Sequence, residues 1–192
     1  MRAFVPRLAG IMLFAALLGG CASVPTHDDI KATFDAGLKA YDAGDYRTAY
    51  STWGDIADYD LAALRNVALM LRKGEGVDKD PKTALKKMAQ AADLGLVTAQ
   101  ADLGEMLANG EAGPPDKAGA IPWLASAAVA GHPIAAFELA KIYDEGTAVP
   151  QDLAKARLLY KAAADAGIAD AAKRLETLGP PPAAAPAAAS KH

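Results

Sequence analysis

Between residues 59 and 178 the apolar positions follow a helical spacing and a longer beat. Leu64, Val67, Ala68 and Leu71 succeed one another at three and four residues, the spacing that puts side chains on one face of an α-helix. This predicts a helix over about Ala62–Lys73. The pattern returns every 36 residues: Ala63, Ala99, Ala135 and Ala171 are in step, followed one turn later by Val67, Leu103, Leu139 and Leu175. Two glycine series share the period: Gly74, Gly110 and Gly146; Gly95, Gly131 and Gly167. So do Asp80, Asp116 and Asp152, Ala84, Ala120 and Ala156, and the pairs Ala91-Ala92, Ala127-Ala128 and Ala163-Ala164. A fixed period of this length marks a repeat architecture.

Each unit reads as two helices. Glycine at 74, 110 and 146 can adopt the left-handed conformation that ends the first. Asp at 80, 116 and 152 suits the N-cap of the second, where its carboxylate accepts from free backbone N–H groups. Pro81 occupies a favoured first helical position. Alanines at fixed phase let helices approach closely, and Met88, Leu124 and Tyr160 fill the spaces between. One place breaks the pattern. Pro122 lies six residues past the cap Asp116, with Gly119 before it. A proline there removes a backbone bond and clashes with the preceding turn, so this helix is expected either to start late, near Ile121, or to kink, the late start being preferred.

These residues resemble Sel1-like repeats, relatives of the tetratricopeptide repeat. The third unit, AAFELAKIYDEGTAVPQDLAKARLLYKAAADAG (135–167), carries the loop glycine, the Asp-x-x-x-Ala start and the Ala-Ala-x-x-Gly ending. The second unit has the usual tryptophan as Trp123, where the first has Lys87 and the third Leu159. The units are 59–94, 95–130 and 131–166, and IADAAKRLETLG after Gly167 reads as a closing helix. Upstream, residues 30–58 resemble one tetratricopeptide pair through Gly37, Gly44-Asp45-Tyr46, Ala49 and Trp53, although its terminal proline is missing and Leu61 stands near that place. The resemblance implies an all-α fold: a right-handed α-solenoid of helix-turn-helix repeats with one tetratricopeptide-like pair, three Sel1-like repeats (59–178 with the capping helix) and no strands.

The N-terminus has a different pattern. Arg2 and Arg7 precede the apolar run Leu8–Leu18, which is too short to span a bilayer and matches a secretory signal over residues 1–20. It ends in Leu18-Gly19-Gly20-Cys21, which resembles the lipobox of bacterial lipoproteins and implies acylation of Cys21. Ala22 follows, where an Asp favours retention in the inner membrane, so the outer membrane facing the periplasm is the expected address. Residues 21–29 then form a lipidated polar tether, and 179–192 (GPPPAAAPAAASKH), without a periodic apolar face, a disordered Pro/Ala-rich tail. A docking peptide and a cell-wall tether are the lesser alternatives for that tail.

Composition agrees with close-packed helices. Of 192 residues 47 are alanine and only 6% aromatic, which disfavours a sandwich or barrel. The net charge is −3, and −5 once Arg2 and Arg7 are removed, so nucleic acid is not an expected partner and an anionic bilayer would not attract the body. The single cysteine allows no internal disulfide. His27, His132 and His192 are scattered and no metal site is expected. Gly74-Glu75-Gly76 follows a helix rather than a strand, and Ser51 and Ser126 lack a nucleophile elbow. No catalytic constellation and no cofactor site are found. Phe34, Tyr41, Tyr46, Tyr50, Trp53 and Tyr59 crowd the first pair and are expected to pack its core, with an exposed Tyr41 or Tyr50 as a contact anchor.

In tetratricopeptide relatives the first helix of each pair lines the concave side. By repeat phase the exposed candidates there are Arg65, Ala101 and Phe137, then Asn66, Asp102 and Glu138. The resemblance therefore implies a non-enzymatic, lipid-anchored envelope adaptor that binds a protein or peptide, in secretion, polysaccharide export or envelope assembly. β-Lactam binding or hydrolysis, linked to some cysteine-rich Sel1-like proteins, is the alternative.

Overall fold

The computed structural model describes residues 24–180. Among them are nine helices and no strand: α1 (His27–Asp42), α2 (Tyr46–Gly54), α3 (Leu61–Lys73), α4 (Pro81–Asp93), α5 (Val97–Asn109), α6 (Lys117–Val129), α7 (Pro133–Glu145), α8 (Leu153–Asp165) and α9 (Ala169–Leu178). The signal segment, Cys21 and residues 181–192 of the tail lie outside the described residues.

The cap chemistry places the helix ends where the repeat pattern predicts them. Asp80, Asp116 and Asp152 are the N-caps of α4, α6 and α8, and each accepts from a backbone N–H in the first turn. Gly74, Gly110 and Gly146 end α3, α5 and α7 with φ of 81°, 69° and 64°, the region where a side chain would be strained. His132 caps α7, its Nδ1 accepting from the Ala135 N–H at 3.3 Å, so this histidine has a structural role.

Two expectations are corrected. The tether is shorter than residues 21–29, because α1 begins at His27. Thr26 Oγ1 accepts from the Asp29 N–H at 3.2 Å while Asp29 Oδ2 accepts from the Thr26 N–H at 3.0 Å, a reciprocal capping box that starts the helix three residues before Ile30. Likewise α6 does not start late at Ile121. It starts at Lys117, with Asp116 Oδ1 accepting from the Gly119 N–H at 2.8 Å, and continues through Pro122. Ala120, Leu124 and Ala127 are completely buried on one face of α6, and that packing outweighs the proline. Pro122 and Ala118 are exposed, so the carbonyl that loses its donor faces water.

Each helix packs chiefly on the ones before and after it, and α5 also touches α7. The result is an α-solenoid whose core is a chain of three linked clusters. Leu64, Met70, Met88, Met106 and Leu124 are its largest fully buried side chains. At the N-terminal end Trp53 is buried against α1: its Nε1–H donates to the Phe34 carbonyl at 3.2 Å, and its ring lies where Gly37 offers no side chain.

Candidate functional site

The odd-numbered helices form one row. Side chains of α3 reach α5, and the backbones of α5 and α7 approach each other more closely than those of α4 and α6 or of α6 and α8. The odd row is therefore the tighter, inner side of the stack.

The stripe on this face is Asn66, Leu69 and Lys73 on α3, Asp102, Glu105 and Asn109 on α5, and Glu138, Lys141 and Glu145 on α7. These residues repeat at 36 and stand three to four residues apart along each helix. Asn66, Asp102 and Glu138 were expected here. The other expected set points elsewhere: Ala101 is only 6% exposed and Phe137 packs on Tyr160 with ring centres 5.8 Å apart, both in the seam between repeats. Arg65 is spent on an internal ion pair, its Nε 2.5 Å from Asp102 Oδ2 across the α3–α5 junction. The missed residues, Leu69, Lys73, Glu105, Asn109, Lys141 and Glu145, were legible as the continuation of the Asn66 series by one and two helical turns.

Along this row the face changes character. Between α1 and α3 is a cleft of 210 Å³ lined by Leu38, Tyr41, Asn66, Leu69, Lys73 and Glu75. Leu38 is 45% exposed at its mouth. The Tyr41 hydroxyl donates to Glu75 Oε2 at 2.9 Å, and this bond to a carboxylate holds the phenol protonated above its ordinary range. Between α3 and α5 ion pairs span the junction. Arg72 donates to Glu105 at 2.9 Å and to Glu111, and with Arg65–Asp102 it closes the junction. Burial opposes the Arg72 charge, but the hydrogen bonds it donates to Glu111 and Glu105 overcome it and raise its pKa. Between α5 and α7 a second hollow of 250 Å³ is lined by Asn109, Lys117, Glu138, Lys141, Ile142 and Glu145. Here Lys141 Nζ lies 2.8 Å from Glu138, and Lys117 pairs with Glu145. The inner face thus offers an apolar, aromatic cleft and a charged hollow, with the ion-paired α3–α5 junction between them.

Further along, Asp144 is 7% exposed and receives Arg174 from α9 through two bonds of 2.6 and 2.8 Å and the Tyr160 hydroxyl at 3.1 Å. This bond set fastens the last helix. Among the described residues no three His, Cys, Asp or Glu side chains converge as metal ligands, and no helix is long and apolar enough to cross a membrane.

The Sel1 repeat family model matches residues 61–96, 97–132 and 133–168, two residues out of phase with units counted from 59. The chain belongs to the Sel1 repeat family. Among solved structures it is similar to a Sel1 repeat protein from Oxalobacter formigenes, with 31% identity and a TM-score of 0.70 over 76% of this chain and 60% of that one. It is also similar to c5321, described as a protective antigen of uropathogenic Escherichia coli strains with this fold, at 25% identity and a TM-score of 0.73 over 78% of this chain and 33% of that one. Helicobacter pylori cysteine rich protein B shares the fold at 17% identity, with a TM-score of 0.53 over 66% of this chain and 96% of that one. The chain thus spans less than two thirds of the length of the first and a third of the second. No curated protein matches it. Sel1 repeat proteins are in general scaffolds for protein–protein contact rather than catalysts.

Proposed function

We infer that this Sel1 repeat protein is a lipid-anchored adaptor of the bacterial cell envelope, at the outer membrane facing the periplasm. Its inner face binds a partner protein in secretion, polysaccharide export or envelope assembly. The observation that carries the binding part is the α1–α3 cleft. An exposed leucine, a fixed tyrosine and a Lys73–Glu75 rim form an apolar floor with polar groups at its edge, as at sites that hold a peptide side chain. The anchoring part is supported by the Leu18-Gly19-Gly20-Cys21 motif after a short apolar run. More than one acyl chain at Cys21 would hold a net-negative body that the bilayer surface does not attract.

Both parts are tested in cells. A photo-crosslinking phenylalanine analogue at Leu38 is expected to give a discrete covalent adduct with one protein, and the same analogue at Lys86, exposed on α4, is expected to give none. Absence of an adduct from both Leu38 and Leu69 would overturn the cleft as the binding face. Radiolabelled palmitate is expected to enter the wild-type chain and not Cys21→Ala; equal labelling of the two would remove the anchor.

A further inference from the structure

We propose that the C-terminal face of the solenoid, between α8 and α9, is a docking seat for an acidic amphipathic helix of a partner protein, independent of the inner face. Inside the stack such a seat is filled by the chain itself. Trp123 of α6 packs onto the core to which α3 and α4 contribute, and Leu159 of α8 onto that of α5 and α6. The second helices of the second and third units thus each lend a large apolar side chain to the unit before. The receiving helices present half-buried apolar residues, Leu85 and Ala89 on α4, Ile121 and Ala125 on α6. Residues 180–192 contain no Leu, Ile, Val, Met, Phe, Tyr or Trp, so this stretch cannot do for α8 what Trp123 and Leu159 do.

The corresponding surface of α8 has been altered in a particular way. Arg157 stands at the phase of Leu85 and Ile121, and Lys161 at that of Ala89 and Ala125. With Ala154, Leu158, Leu175 and Gly179 they line an open groove of 470 Å³ in which two cations and no carboxylate take part. A solenoid end that meets only water has a polar outer face. This one instead puts Leu158, 72% exposed, where the first unit has Lys86. Arg157 donates to the Leu178 carbonyl at 2.7 Å and to that of Gly179, which fixes its guanidinium as a wall of the groove and leaves the floor open. Among the described residues Lys161 pairs with Asp165 at 2.7 Å, an exposed pair that an arriving carboxylate can displace. An apolar floor between two cations fits a helix with a leucine or aromatic stripe flanked by Glu or Asp. A second copy of the same face would set cation against cation, which disfavours it as the occupant.

The test uses residues 22–192, which contain all nine helices of the described residues, and a fluorescein-labelled synthetic helix with Leu at i, i+4, i+7 and i+11 flanked by Glu. Anisotropy is expected to saturate, and backbone amide shifts to concentrate at Leu158, Lys161 and Leu175. Leu158→Asp is expected to weaken binding at least tenfold and Lys161→Glu at least fivefold, with unchanged far-ultraviolet circular dichroism. A peptide with Lys in place of Glu should bind at least tenfold more weakly. Four results would overturn the seat: no saturable binding; binding that survives Leu158→Asp or maps to Leu38 and Leu69; equal binding of the Lys peptide; or Leu158-dependent binding to phosphatidylethanolamine–phosphatidylglycerol vesicles without peptide binding. Leu158→Asp shifting the amides of residues 181–192 in the absence of peptide would assign the groove to the chain's own tail and equally overturn it. Failure here leaves the Leu38 crosslink untouched.

Discussion

Two residues show how much single side chains decide. Gly37 is buried in α1 because Trp53 lies on it; a Cβ at 37 would stand 2.5 Å from the indole Nε1. Alanine is the better helix former by about 1 kcal/mol, but the ring is fixed by its bond to Phe34 and overpacking costs about 1–3 kcal/mol. Gly37→Ala is therefore expected to lower stability by up to about 2 kcal/mol, read as a lower urea midpoint by Trp fluorescence. Asp144 is the second. Its carboxyl is held below the usual range, first by the Arg174 hydrogen bonds and, against the cost of burial, by Tyr160. A carboxyl whose folded pKa is depressed stabilises above its unfolded value, here 3.8, and loses that contribution as pH falls through the folded value. Docking of α9 is thus expected to hold near neutral pH and to loosen as pH drops below 3.8. Asp144→Ala should bring that loosening to neutral pH at a cost of about 1–3 kcal/mol. Amide exchange in Ala171–Leu178 at pH 7 checks it; unchanged protection would show that the apolar contacts of Ala171 and Leu175 suffice.

At the scale of the helix, α6 shows where local rules yield to packing. A proline inside a helix costs about 3 kcal/mol in isolation, so the segment before Ile121 reads as irregular. The deciding fact is non-local: Ala120, Leu124 and Ala127 are each sealed between neighbouring helices, and the Asp116 cap holds the first turn. Pro122→Ala should restore a donor to the Ala118 carbonyl without touching the core, raising stability by about 1–3 kcal/mol. A lower or unchanged urea midpoint would show that the proline relieves strain. Caps and glycine stops, by contrast, are chemistry local to a few residues, and the 36-residue phase displays them in the sequence. The capping box Thr26-x-x-Asp29 was legible too, but one copy without a periodic partner did not stand out. The binding face was half legible for a related reason. Phase names equivalent positions, yet it does not say whether Arg65 or Asn66 points inward; that depends on the angle at which α3 leans on α5. Arg65 turned into the junction and paired with Asp102, while Asn66 kept the face.

For the whole molecule the governing fact is that each helix pair leans only on its neighbours. Stability in such a stack is a sum of pair and junction terms, so the ends should open before the middle. The burial pattern ranks them. α3, α5 and α7 each seal six residues, whereas α1 seals only Gly37 and α9 only Ala171. The junction between α3 and α5 is further tied by Arg65–Asp102 and by Arg72 with Glu105 and Glu111. Native-state amide exchange is therefore expected to be slowest in α3–α7, faster in α1 and fastest in α9, with the α9 opening energy well below the global value. Arg72→Met should then lower protection on both sides of the α3–α5 junction while leaving α8 unchanged, because no term of the stack connects them directly. Exchange at one rate throughout would mean that the chain unfolds as a single unit. The inner cleft at α1–α3 and the groove at α8–α9 could then not respond separately to partners, as two ends of a linear stack must.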